Sequence, residues 1–390
     1  MENILGAVRY GIKISKKEKN PDERVTYIHD AKDLQPARMN FDTGVFEYGS
    51  WQGRAFAAPE NNYPCMVKAD GTEDYKLMQE DYTKKEDGAE SDVVNADYAG
   101  NAMAAFKGGW LCQYETETDE YIIWSNVKYD DAYNARHRKA KDGSIREGFY
   151  RHIYKPTLID GKARSISGAE IMGGFTAQQE RQLCKANGEE WEQSTWQQWN
   201  YIICLLKIMA KTDDLQAAYG YGNCDNPAWE ALPTGTLNDK GQFYGSREKD
   251  KQVKVFHTEA LWGDKWERLA GLIVDNGTVK VHTHGEYNFT GEGYKSIYRY
   301  MTNDFDYGFV DGTVMTPYGR FPVSFNGSRH AYTADYGAID TEIVSVPLVG
   351  GRCSDGLNCG AYVGLNNAAG NATWYIAPGL SCIMPNAAQQ

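Results

Sequence analysis

Seven histidines are spread along the chain, and only His282 and His284 stand close together. On a strand, residues two apart share a face, which is the arrangement two metal ligands need. The run Val279-Lys280-Val281-His282-Thr283-His284 offers no acidic or thiol partner at a recognisable spacing, so it reads as an ordinary strand with two polar side chains on one side. Asp304, Asp306, Asp311 and Gly312 form an oxygen-rich stretch of the kind a hard cation such as Ca²⁺ takes, but their spacing departs from the twelve-residue calcium loop. Solvated loop carboxylates are the simpler reading. Cys353 and Cys359 could form a redox or soft-metal pair, with nothing alongside expected to lower a thiol pKa. No GxSxG elbow, Walker loop or GxGxxG turn occurs. These residues point away from catalysis, and neither a metal nor a cofactor is expected.

The elements that would carry such residues are mostly strands and turns. Forty glycines and 27 tyrosines against 12 prolines describe a loop-rich, aromatic, β-dominated chain. Its 390 residues suggest two domains, or one large domain with an appendage. Hydrophobic residues make up 42%, enough for a sizeable core. With 41 basic and 53 acidic side chains the net charge is −12, a poor match for phosphate backbones or anionic lipid, so no nucleic-acid partner is expected. The greasiest run, Ile202 to Leu206, falls far short of the roughly 20 residues of a membrane helix, so no membrane insertion is expected. Met1-Glu2-Asn3 does not open a secretory signal. The eight scattered cysteines, with no CxxC pair, read as reduced thiols of a protein made in the cytosol.

Residues 1 to about 92 read as a β-rich module. The polar stretch Lys84 to Asp97 reads as a linker or long surface loop before the remainder, 93–390. Two helices are expected. Thr176 with Gln179 makes a capping-box signal for a helix running to Asn187 and stopped by Gly188; a second begins near Ser194, with Gln197 three positions on. Trp196, Trp199, Ile202, Ile203, Leu206 and Met209 follow helical spacing, so one face of the second helix should be buried. An α+β fold, with two helices on an irregular antiparallel sheet, is the expected architecture.

The most informative segment runs from Gly350 to Cys382, a stretch of Gly, Asn, Ser, Ala and Tyr with the makeup of antibody-type paratopes. Lys, Glu, Gln, Met and Trp make up 85 of the 390 residues, so about seven are expected in these 33; Trp374 alone is present. Loop composition accounts for missing Met and Trp, but not for missing Lys, Glu and Gln, which loops usually accept.

These residues resemble the variable region of proteins diversified by diversity-generating retroelements, in which template adenines are miscopied. Asn codons of the AAY type then scatter to many residues but never reach Lys, Glu, Gln, Met or Trp. The family's ending is matched by Gly350-Gly351, Arg352 to Asp355, Gly356, Asn366-Asn367, Trp374 and Leu380-Ser381. Leu261 to Glu267 resembles the Gly-Asn-x-Trp-Glu-Trp strand of the same fold, and Arg164 to Gly168 and the two helices stand where that fold places them. Asn20-Pro21 to Tyr27 and Asp81 to Asp87-Gly88 resemble tail proteins of phages of gut Firmicutes.

The resemblance implies a C-type lectin-like fold of the formylglycine-generating-enzyme type over 93–390, with a variable region at about 350–382, behind the N-terminal module 1–92. It implies a phage tail receptor-binding adhesin located on the virion, or alternatively on a bacterial cell surface. Such a protein would bind a host bacterial surface protein or glycan, would attach to other phage tail proteins through its N-terminal module, and would form homotrimers. By the family pattern the contact residues are Arg352, Cys353, Ser354, Asp355, Leu357, Asn358, Cys359, Ala361, Tyr362, Thr373 and Tyr375. Arg352, Tyr362 and Tyr375 would be anchors, while Trp374 and Ile376 would face the core. Gly350, Gly351, Gly356 and Gly360 would hold the backbone in turns. Two rivals remain: a formylglycine-generating-type copper oxidase using Cys353 and Cys359, and a structural tail or baseplate protein that binds no ligand.

Overall fold

A computed structural model describes residues 6–301, 305–361 and 363–385. Strands dominate, with three α-helices among the described residues, α1 (Ala177–Lys185), α2 (Trp196–Ala210) and α3 (Leu215–Tyr219). Three larger sheets carry the fold. Four strands pair in the order Val25–His29, Arg9–Ser15, Asp119–Ser125, Trp110–Glu115. Six pair in the order Trp191–Gln193, Leu380–Ile383, Gly148–His152, Gly100–Lys107, Asn62–Lys68, Glu73–Lys76. The nine-stranded sheet has Val344–Val349 and Val363–Ala368 at its middle, flanked by Leu272–Asp275 on one side and Tyr336–Asp340 on the other.

The expected boundary near residue 92 does not separate two cores. Arg9–Ser15 pairs along its whole length with Asp119–Ser125, and Asn62–Lys68 pairs with Gly100–Lys107. A single hydrophobic cluster runs from Tyr10, Ile12 and Trp51 through Trp199 and Trp262 to Leu365. The first 92 residues supply strands that later residues complete: Arg9–Ser15 and Asn62–Lys68 each pair on one edge with a strand beyond the boundary. The Lys84–Asp97 stretch is a series of turns tied by backbone hydrogen bonds, with Val93 buried in the core.

Both capping signals are present. Thr176 and Gln179 form a reciprocal capping box at α1; at α2 the box is Thr195 with Gln198, one residue beyond the Ser194–Gln197 pair. The burial of α2 goes beyond one face. Every residue except Ile203 is buried, including Gln197, Gln198, Asn200 and Lys207. Polar groups survive there because each finds a partner: Asn200 and Gln113 exchange amide hydrogen bonds, and Lys207 Nζ lies 2.7 Å from Asp213. Ile203 lines a cavity of about 70 Å³ behind Ala361 and Val363, which is why it is only partly covered.

Candidate functional site

The segment from Gly350 to Pro378 leaves the central sheet, crosses the surface as a loop with one 3-10 turn (Gly356–Asn358), returns as strand Val363–Ala368 and then passes through a second loop to Ile376–Pro378. Gly350, Gly351, Gly356 and Gly360 all have positive φ, at 88°, 76°, 60° and 116°. At Gly351 a Cβ would lie 2.4 Å from Cys359 Sγ, so glycine is required by space as well as by conformation.

Backbone atoms do most of the fastening. Gly263 N donates to Gly350 O at 3.0 Å, Cys353 N to Asp264 O at 3.0 Å, Asn226 N to Cys353 O at 2.8 Å, and Gly356 N to Cys224 O at 2.7 Å. At the far end, Ala361 N donates to Asp335 Oδ1 at 3.1 Å. The platform beneath is polar and buried. Asp264 accepts from Asn223 Nδ2, Leu232 N and Gln252 Nε2, while burial pushes its carboxyl above the usual range. The Lys155 ammonium, fully buried and lowered to about 8 by that burial, donates to the carbonyls of Gly263 and Lys265. Trp262, expected on a strand with Trp266, precedes it. The strand is Trp266–Arg268, which pairs with Val344–Val349 and, in parallel, with Ile376–Pro378.

The second loop is braced by Arg268. Its Nη1 lies 2.8 Å from Glu180 on α1 and donates to Phe175 O, and its Nη2 donates to Asn371 O at 2.7 Å. Both members of the pair are fully buried, and burial raises Glu180 to about 7 against the pull of Arg268.

The expected contact residues divide into groups. Arg352, Ser354, Asp355, Leu357, Asn358, Ala361, Thr373 and Tyr375 are partly exposed. Arg352 Nε donates to Asp355 Oδ1 at 2.9 Å, and its guanidinium lies over the Tyr375 ring, 4.2 Å from the centroid. Cys353 and Cys359 depart from the expectation: both are fully buried beneath the loop, where their small side chains pack against the platform. Burial pushes both thiols up, which disfavours the thiolate that metal ligation or nucleophilic chemistry uses. Tyr362 lies outside the described residues. Trp374 also departs from the expectation. It is 50% exposed, edge-on to Tyr375 with centroids 5.6 Å apart, whereas Ile376 is buried.

Two elements beyond the variable stretch complete the face, and composition alone did not single them out. One is the loop from Cys224 to Glu230, which hydrogen-bonds to Cys353 and Gly356; its Asn226-Pro227 turn was a usable signal. The other is Asp335, which holds Ala361.

The weaker metal candidates stay apart from this face. His282 and His284 follow the strand Thr278–Val281 instead of lying on it, with stacked rings 6.0 Å apart. Asp304 lies outside the described residues, while Asp306 caps Tyr307 N and Asp311 accepts from Asn326 N. Among the described residues, no three His, Cys, Asp or Glu side chains converge as metal ligands, and no helix is long and apolar enough to cross a membrane. No protein-family model matches the chain, and no curated protein matches it.

Proposed function

We propose that this protein is a receptor-binding adhesin of the retroelement-diversified kind, with a C-type lectin-like fold of the formylglycine-generating-enzyme type, carried on a phage tail. It binds a host bacterial surface molecule through Arg352 to Tyr375 and has no catalytic role. One observation carries the reading: the loop from Gly350 to Ala361 is held by backbone hydrogen bonds and positive-φ glycines, while the side chains of Arg352, Ser354, Asp355, Leu357 and Asn358 stay partly exposed. A loop fastened in this way tolerates exchange of Ser354, Leu357 or Asn358 without losing its path, which is what a diversified face needs. The depletion of Lys, Glu and Gln from the same stretch supports the reading independently.

Several copies per virion, as a homotrimer, would turn modest single-site affinity into avidity. Attachment to tail proteins would use the outer surface of the strands from the first 92 residues, which in this fold are part of the body. Replacing Arg352, Ser354, Asp355, Leu357 and Asn358 together by alanine tests the proposal. Binding to a panel of intact Firmicutes cells should be lost while the unfolding midpoint moves little; undiminished binding would refute it.

A further inference from the structure

Of the ten tryptophans, two are exposed, Trp229 at 67% and Trp374 at 50%, and both border the same loop. A large apolar side chain left in water is the exception that asks for an explanation. Trp229 reaches the loop through Asn226, whose N–H donates to Cys353 O at 2.8 Å while its own carbonyl accepts from Trp229 N at 2.9 Å. Trp374 reaches it through its neighbour Tyr375, whose ring lies under the Arg352 guanidinium. Consecutive residues 352 and 353 therefore each connect to one of the two indoles.

The Trp229 backbone adds a second observation. Its φ is +57°, a left-handed conformation that costs a bulky residue energy and that glycine would adopt freely. Among the described residues no ring packs on it, and the side chain projects from an exposed turn, Asp225 to Glu230, fastened at its base by Cys224 N and Asp225 N to Lys249 O. Trp374 is held as firmly: Gly174 N donates to Thr373 O and Trp266 N to Tyr375 O, both at 2.9 Å. Both rings are thus presented by fixed backbone.

We infer that Trp229 and Trp374 are paired stacking platforms for the sugar rings of a neutral glycan, flanking the diversified loop. The inference deepens the adhesin reading and rests on it. The chemistry of the face selects the ligand class. Among the described residues from 350 to 385, Trp374 is the one large apolar side chain that is exposed, with Leu357 and Val363 only partly so, and the most accessible apolar surface there is aromatic. A protein partner generally meets a broader apolar centre. A pyranose has an apolar C–H face that covers an indole, and hydroxyls that short polar side chains bridge. Ser354, Asn358 and the Arg352–Asp355 pair supply such groups. Of the cations beside the rings, Arg352 is matched with Asp355 at 2.9 Å and Lys249 with Asp225 at 3.4 Å, while Lys265, its Nζ 5.8 Å from the Trp374 centroid, donates to Ile171 O at 2.7 Å, so each of the three is already engaged when an acidic or phosphate-rich polymer arrives.

The test uses the full-length protein with a panel of intact Firmicutes cells, untreated, periodate-oxidised or protease-shaved, and with neutral cell-wall polysaccharide released from the bound cells as soluble competitor. Binding should vanish after periodate, persist after protease and be competed by the polysaccharide. Trp229→Ala and Trp374→Ala should each weaken it by about tenfold or more, and the phenylalanine variants should retain most of it. Trp229→Gly separates binding from structure, because it should lose binding while its melting temperature holds or rises. Binding that survives periodate and is lost after protease would overturn the glycan assignment and leave the adhesin reading in place. Alanine variants that bind as well as the parent would overturn the platform assignment, and a parent that binds no cells would remove both.

Discussion

The Arg352 guanidinium carbon sits 4.2 Å from the Tyr375 ring centroid, bringing together residues from two separate loops of the face. Asp355 fixes the same guanidinium from the side, at 2.9 Å from Nε. Because Arg352 is partly exposed, the stack contributes only about 0.5–1 kcal/mol to stability. Arg352→Ala should therefore shift the urea midpoint slightly and reduce ligand binding by about tenfold or more. Arg352→Lys should restore less than half of the loss in binding energy, since an ammonium cannot keep both the hydrogen bond to Asp355 and the planar stack on Tyr375. Full recovery by lysine in a binding titration would contradict this account.

Two glycines in the same loop should respond differently to alanine. At Gly351 a new Cβ would meet Cys359 Sγ at 2.4 Å and Cys359 Cα at 2.9 Å, in addition to the penalty of φ +76°. Steric and conformational costs combine there, for a loss of about 2–4 kcal/mol. At Gly356 nothing lies within 4 Å, and only φ +60° opposes the substitution, at about 1 kcal/mol. Chemical denaturation of the two variants checks the order, which should not invert.

Arg268→Met leaves the Glu180 carboxyl buried without its partner and frees the carbonyls of Asn371 and Phe175. Breaking one side of a buried pair costs about 3–5 kcal/mol. The Arg268→Met/Glu180→Met double variant should recover part of that loss in equilibrium unfolding, because no carboxyl is left buried without its partner. A double variant less stable than Arg268→Met would contradict the pairing as the brace between α1 and the second loop.

Asp335 gives the site a pH dependence. Burial is the largest cause of a carboxyl pushed up to about 7; Lys207 opposes it, Asp214 and Asp213 add to it, and Arg329 opposes it. An unfolded aspartate titrates at about 3.9. Between those values the unfolded chain has released the proton and the folded chain has kept it. The folded state then holds more protons, so stability falls as pH rises from about 4 to 7 and levels off above. Asp335→Asn keeps an oxygen for Ala361 N–H and removes the titration. Its unfolding free energy relative to the parent should rise across that window, and a flat difference would contradict the assignment.

What could be read from the sequence follows from how local each signal is. The capping boxes and the four glycine turns depend on residues within a few positions, and the structure places them where expected, apart from the one-residue shift at α2. That shift arises because Ser194–Gln197 and Thr195–Gln198 satisfy the same spacing. The joining of the first 92 residues to the body was not legible, because pairing of Arg9–Ser15 with Asp119–Ser125 leaves no mark in either segment alone. Hydrophobic periodicity also understated α2, whose polar residues are buried with partners outside the helix, Asn200 with Gln113 and Lys207 with Asp213. At the face, residue type misled in both directions. Cys353 and Cys359 sit in a loop of outward side chains yet lie beneath it, and Trp374, the residue most expected inside, is exposed.

The central claim is that the face from residue 351 onward sets which ligand the protein selects, while the rest of the chain presents it and adds the constant Trp229 beside it. Exchanging 351–385 for the corresponding segment of a differently targeted protein of the same kind, and measuring binding to both sets of host cells, tests this most directly. The account predicts that binding follows the grafted segment and that the melting temperature stays near that of the parent. Binding that stays with the original cells would contradict it.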